Sequence, residues 1–362
     1  MVKERFSYID LGAGLMILWM IIMVHAVGDA FEMELTLYNL WHITDASLIP
    51  EGVHAAIGKD GYIQTMGINA YLPDFLFFFM PWFFYKSGEF FTKRGIKEEL
   101  QKDYRKLIRP LLLWSAIGYI LYVLFLYLDG SFSIPRITYQ VIKGFFFKGY
   151  IELNIPLWFL FSLFIVRQIA NIMFPTEEDK YFWIKCLCII IGSYGVAFGA
   201  YCLHSSSIPR WLANSSAGLS FFCLGYCLRK YETKLWLLIP CAMIYITCLL
   251  CDFSGVDMFS NGSSSSCIYL LSLPASIAGI VSFNMLCRLI SQYLPKLSLP
   301  FEYVGKYAMI IYVSHGLLYL SIGNILRIYN LTTLMPYCLW LFLGAYIIFL
   351  PLFCFLSTKI RR

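Results

Sequence analysis

Among the ionisable side chains of this sequence, His25 is the one best placed to move a proton. It ends the apolar run from Leu15 to Val24, and an ionisable group inside a membrane span usually faces a cavity or a partner. A neutral imidazole takes up a proton near pH 7, as general-base or group-carrier chemistry requires. Taken alone, the residue reads equally well as an interfacial histidine bonded to lipid headgroups, because it falls near a helix end. Asp10 starts the same helix 15 residues earlier. At 100° per residue the two lie within about 60° on the wheel and roughly 22 Å apart along the axis. They would line one groove at different depths without touching. Asp10 also fits a first-turn carboxylate favoured by the helix dipole.

The stretch from Thr92 to Pro110 is the strongest charged feature. It carries Lys93, Arg94, Lys97, Lys102, Arg105, Lys106 and Arg109 against Glu98, Glu99 and Asp103. Ile96, Leu100, Tyr104 and Ile108 recur every four residues, which predicts a helix lying on the membrane with a basic outer face. Such a face anchors to anionic lipid, and it could also seat a phosphate-rich cofactor, since Arg grips phosphate bidentately. The two readings are compatible. His315 follows Ser314 in the middle of another apolar run, where a buried, hydrogen-bonded histidine is the simpler role. Glu152 and Trp158 are ordinary interfacial types. His42, His54 and His204 show no metal-ligand spacing. Cys186-x-Cys188 and Cys223-xxx-Cys227 have no histidine or carboxylate beside them, so inert apolar packing is expected and no metal.

The elements that must hold these residues follow from composition. Of 362 residues 59% are apolar or aromatic and 14% are charged, too few charges to cover a water-soluble globule. The same numbers exclude disorder and a small disulfide scaffold. An all-α integral membrane protein remains. About 20 mostly apolar residues make a span, and roughly ten candidates run near 8–27, 71–91, 107–127, 153–174, 181–203, 212–228, 234–251, 267–289, 305–326 and 334–357. Residues 1–362 form a single transmembrane domain. Its long link, 28–70, could cover a site on the outer face. Among 28 Lys and Arg, only Lys59, Arg136, Lys143, Lys148, Arg210 and Arg327 fall outside when the N-terminus is cytoplasmic. The positive-inside tendency therefore places both termini in the cytoplasm and requires an even number of spans. The net charge of +6 reflects that topology, not nucleic-acid binding, because no basic patch stands apart from the spans.

Ordered landmarks give the chain a resemblance to the acyltransferase-3 family of integral membrane acyltransferases. They are Tyr8-Ile9-Asp10 with the run to His25, Phe79-Met80-Pro81-Trp82-Phe83-Phe84-Tyr85-Lys86-Ser87-Gly88, Lys106-Leu107-Ile108-Arg109-Pro110, Pro156-Leu157-Trp158-Phe159-Leu160 and Ile311-Tyr312-Val313-Ser314-His315. The resemblance implies transfer of an acyl group, most often acetyl, from cytoplasmic acyl-CoA to a hydroxyl of a cell-surface polysaccharide or glycolipid, by an enzyme of the cytoplasmic (inner) membrane. It makes His25 the catalytic histidine, with Asp10, Trp158, Ser314 and His315 in support. It turns Lys93, Arg94, Arg105, Lys106 and Arg109 toward the CoA phosphates. One position departs from the pattern. The family usually carries a basic residue eleven positions before the histidine, and here that residue is Gly14. Another basic side chain replaces it, or Asp10 and the glycines mark a variant subgroup, or the enzyme is impaired. A non-catalytic glycan exporter on the same scaffold is the alternative function.

Overall fold

The computed structural model describes residues 7–21, 73–150, 154–203, 208–230, 235–251 and 266–329, with 344 and 348 besides. His25, the link 28–70 and nearly all of the expected last span lie outside the described residues. Every regular element among those described is helical. The helices are α1 (Ser7–Trp19), α2 (Phe79–Glu89), α3 (Ile96–Leu128), α4 (Ile134–Lys143), α5 (Trp158–Met173) and α6 (Phe182–Cys202). They continue with α7 (Arg210–Leu228), α8 (Leu238–Leu250), α9 (Ser266–Tyr293), α10 (Pro295–Lys306) and α11 (Ala308–Ile328).

Five helical stretches among the described residues are long and apolar enough to cross a bilayer: Ile96–Leu128, Ile155–Met173, Phe182–Cys202, Tyr269–Tyr293 and Ala308–Leu326. α1 and α8 are apolar but shorter. Burial is distributed as lipid requires. Asp10, Glu99, Asn154, Asn171, Asn284 and His315 are buried, whereas Ile120, Ile184, Ile191, Ile239, Met243 and Leu250 are exposed. In water that apolar surface would have no cover; in a bilayer it is the solvated one.

Small residues let the backbones meet. A Cβ at Gly14 of α1 would lie 2.8 Å from the carbonyl carbon of Phe301 on α10 and closer still to its oxygen. In return, Gly305 of α10 abuts the carbonyl of Asp10. The same reciprocal contact joins α2 to α7, where Gly88 meets the Phe222 carbonyl and Gly225 meets that of Tyr85. Without a hydrophobic drive between helices in lipid, close packing of this kind is a main source of association. Trp82 Nε1 donates to Asn284 Oδ1 at 2.8 Å, pinning α2 to α9.

The basic segment and the third span are one helix, α3. Its 33 residues span about 50 Å at 1.5 Å per residue, well beyond the ~30 Å hydrocarbon core. The sequence predicts a separate helix over the basic segment, and the structure instead runs it straight into the span. Around Tyr104–Ile108 the hydrogen bonding widens to a π-type turn. Pro110 lacks an N–H and would crowd the carbonyl four residues back, and the wider turn accommodates it. On the opposite side α4 presents Ile134, Tyr139 and Ile142 to the surroundings. This interfacial helix stands where the sequence reads as a plain link. The chain leaves it through Gly149 at φ +80°, in the left-handed region that glycine enters without strain.

Candidate active site

The basic residues that the sequence groups as one phosphate seat separate into two sets. Lys93 Nζ donates to the Phe174 carbonyl at 2.9 Å. The Arg94 backbone and the Asn171 side chain exchange two hydrogen bonds, each of 3.0 Å. The Arg94 guanidinium pairs with Glu98 at 2.6 Å and reaches Glu99 at 3.6 Å. The Glu98 hydrogen bond raises its already high pKa further. Lys93 and Arg94 thus join α3 to the end of α5 and are engaged within the protein.

Beneath them lies a charged core. Arg167 of α5 bonds to Glu99 and holds both oxygens of Asp103, at 2.8 and 3.0 Å. Gln168 donates to Asp103 at 2.9 Å, and Lys102 reaches Glu99 at 3.2 Å. Glu99 and Asp103 are buried. The face of α3 turned to the protein is therefore acidic, while Ile96, Leu100 and Tyr104 are exposed. The four-residue period locates the apolar stripe correctly but says nothing of this docking face. Arg167 lies within a predicted span, and the rule that singled out His25 applies to it equally.

Arg105, Lys106 and Arg109 form the second set. All three are exposed, and none has an ion-pair partner among the described residues. Arg105 and Arg109 line an open groove of about 800 Å³ whose other walls are Leu100, Gln101, Tyr104, Ile108 and Phe164. Two guanidinium groups above an apolar and aromatic floor can grip phosphate oxygens while the floor takes an uncharged ring or chain.

Deeper in the bundle, Asp10 is buried. Two residues before it, the Tyr8 hydroxyl accepts a 3.0 Å hydrogen bond from Arg288 Nη2, whose guanidinium carbon lies 4.5 Å from the Tyr8 ring. Lys86 Nζ sits 5.3 Å over the same ring and pairs with Glu89 at 2.7 Å. Lys86 and Arg288 are further cations in predicted spans that the sequence reading passed over. Gly14 itself is closed to any side chain by α10.

Ser314 and His315 are buried on α11. The Ser314 hydroxyl donates to the Ile310 carbonyl at 2.7 Å. His315 Nδ1 lies 2.6 Å from the Tyr312 carbonyl, so the pair is bonded back to its own helix. The chain before Trp158 packs here, with Pro156 against Gly316 and Phe159 5.4 Å from the Tyr312 ring. Trp158, Ser314 and His315 therefore share one region, and none of them lines the groove of Arg105 and Arg109. Asn154 is fully buried beside them, and neither polar atom of its carboxamide has a hydrogen-bond partner among the described residues. The Ser115 and Ser162 hydroxyls are in the same state.

A helical bundle with five membrane-length apolar stretches among the described residues and charged groups in its interior defines a polytopic membrane protein. Residues 6–358 match the acyltransferase-domain family, and the chain belongs to it. No curated protein and no solved structure matches the chain. Family membership implies membrane acyltransferase activity.

Proposed function

We propose that this protein transfers an acyl group, acetyl in the first place, from acyl-CoA at the basic end to a hydroxyl of a surface polysaccharide or lipid-linked glycan at the other. The groove of Arg105 and Arg109 carries the donor half of this reading. Its paired guanidinium groups suit the CoA phosphates, and Tyr104 and Phe164 give the adenine and pantetheine an apolar floor. Lys106 adds charge at the rim. Lys93 and Arg94 keep α3 seated on α5 so that the groove holds its shape.

His25 performs the chemistry in this reading. Its imidazole takes the proton of the acceptor hydroxyl, and the oxygen attacks the thioester carbonyl. A C–O bond forms, the C–S bond breaks, and the CoA sulfur leaves with the proton from the imidazolium. The positive charge that the family usually keeps at position 14 comes instead from Arg288 and Lys86, which converge on Tyr8. The unpartnered carboxamide of Asn154 supports a polar passage in the bundle. An unsatisfied buried group costs about 1–3 kcal/mol, which a hydroxyl-rich guest would offset.

Radiolabelled acetyl-CoA presented to purified protein in vesicles tests the donor half. Arg105→Ala with Arg109→Ala should raise KM for acetyl-CoA at least tenfold, since each charge-assisted bond contributes about 1.5–3 kcal/mol, with melting temperature unchanged. An unaltered KM removes the groove from the reaction. A protein that neither binds nor turns over the thioester is an exporter on this scaffold.

A further inference from the structure

The two cysteine motifs that looked inert in the sequence meet in space. Cys223 and Cys227, four residues apart on α7, share one helix face, and Cys186 of α6 faces them. All three are buried and their sulfurs lie within 4.8 Å of one another. Cys188, the other half of the first motif, is exposed and takes no part. We propose that Cys186, Cys223 and Cys227 bind one soft, monovalent d¹⁰ metal ion of the copper(I) class, fastening α6 to α7 at the basic end of the bundle. The proposal is independent of the acyl-transfer reading.

The donor set selects the ion. Thiolate sulfur favours copper(I), zinc and iron–sulfur clusters over hard cations. Structural zinc almost always takes four ligands, and among the described residues no fourth cysteine, histidine or carboxylate completes this group. Copper(I) is content with three sulfurs. Three sulfurs around one ion at a bond length near 2.3 Å stand about 4 Å apart, so small side-chain adjustments bring these atoms into place.

The surroundings agree. Tyr226, between the two cysteines of α7, packs against Phe174 and Phe182 at 5.2 and 5.9 Å and donates to the Pro175 carbonyl at 3.0 Å. These rings keep water from the sulfurs, which favours a weakly hydrated ion. Arg229 and Lys230 follow α7 and share the single carboxylate of Glu177. One net positive charge is left beside a site that becomes anionic when filled. Each ligating thiol gives its proton to solvent and its lone pair to the metal; copper stays monovalent, so no electron moves.

Copper(I) titrated into the purified protein in detergent, anaerobically and against a chromophoric copper(I) chelator, tests the site. Wild type and Cys188→Ser should each withhold one equivalent, with X-ray absorption showing three Cu–S bonds. Cys186→Ser and Cys223→Ser should surrender it to the chelator, and copper should raise the melting temperature of wild type but not of either variant. The proposal is overturned if wild type withholds no copper or if either variant holds it as well as wild type. Wild type that retains zinc under the same competition and releases copper overturns the assigned ion. The wild-type titration decides even if a serine variant fails to fold.

Discussion

Gly14 shows how one residue sets the limits on chemistry around it. The α10 backbone occupies the space a side chain would need, so no cation fits there without parting two helices. Overpacking of a tight contact costs about 1–3 kcal/mol even for a methyl group. Gly14→Ala should therefore lower the detergent melting temperature, and Gly14→Arg should abolish recovery of folded protein. Recovery of a fully stable Gly14→Arg protein would show that the α1–α10 contact is not tight. Arg288 and Lys86 are the residues to vary instead. Arg288→Met should reduce acetyl transfer while leaving KM for acetyl-CoA near wild type, because it sits with Tyr8 in the bundle and not at the donor groove.

At the scale of elements, the seating of α3 on α5 depends on Arg167. Removing the cation of a buried ion pair costs about 3–5 kcal/mol, and without Arg167 the buried Asp103 loses its cation while Glu99 keeps Lys102 and Arg94. Arg167→Met should therefore destabilise the protein by that order in detergent melting and loosen the groove of Arg105 and Arg109. Restoring neutrality with Glu99→Gln and Asp103→Asn should recover much of the loss; no recovery would mean that Arg167 acts through packing alone. The helical basic segment, its exposed apolar stripe and the apolar span were legible in composition and period; their fusion into the single helix α3 was not. Nor was its acidic docking face, because Glu99 and Arg167 lie 68 residues apart and spacing along a helix says nothing about which helix lies opposite. The same limit hid the meeting of Cys186 with Cys223 and Cys227. The sequence marks Gly14 only as a missing basic residue, and its seat against α10 shows only when both helices are in view. Arg167, Lys86 and Arg288 were within reach, since each is an ionisable residue in a predicted span.

Across the whole molecule, the account requires a donor side and an acceptor side. In the proposed orientation, which follows the positive-inside tendency, the groove of Arg105 and Arg109, both termini and the three-cysteine cluster face the cytoplasm. In intact cells a membrane-impermeant maleimide should therefore label a cysteine introduced in the 252–265 link and spare one introduced at Lys97. The reverse pattern would invert the molecule and put the groove out of reach of cytoplasmic CoA. Direction matters because acyl-CoA does not cross the bilayer, and in the proposed reaction His25 is the residue that joins the two sides. Acetyl transfer to surface glycan by His25→Ala is the most direct measure of that role. The account predicts a rate lower by about 10²–10⁴-fold, with unchanged membrane insertion and unchanged binding of acetyl-CoA. Glycan acetylated at the wild-type rate by that variant would contradict it.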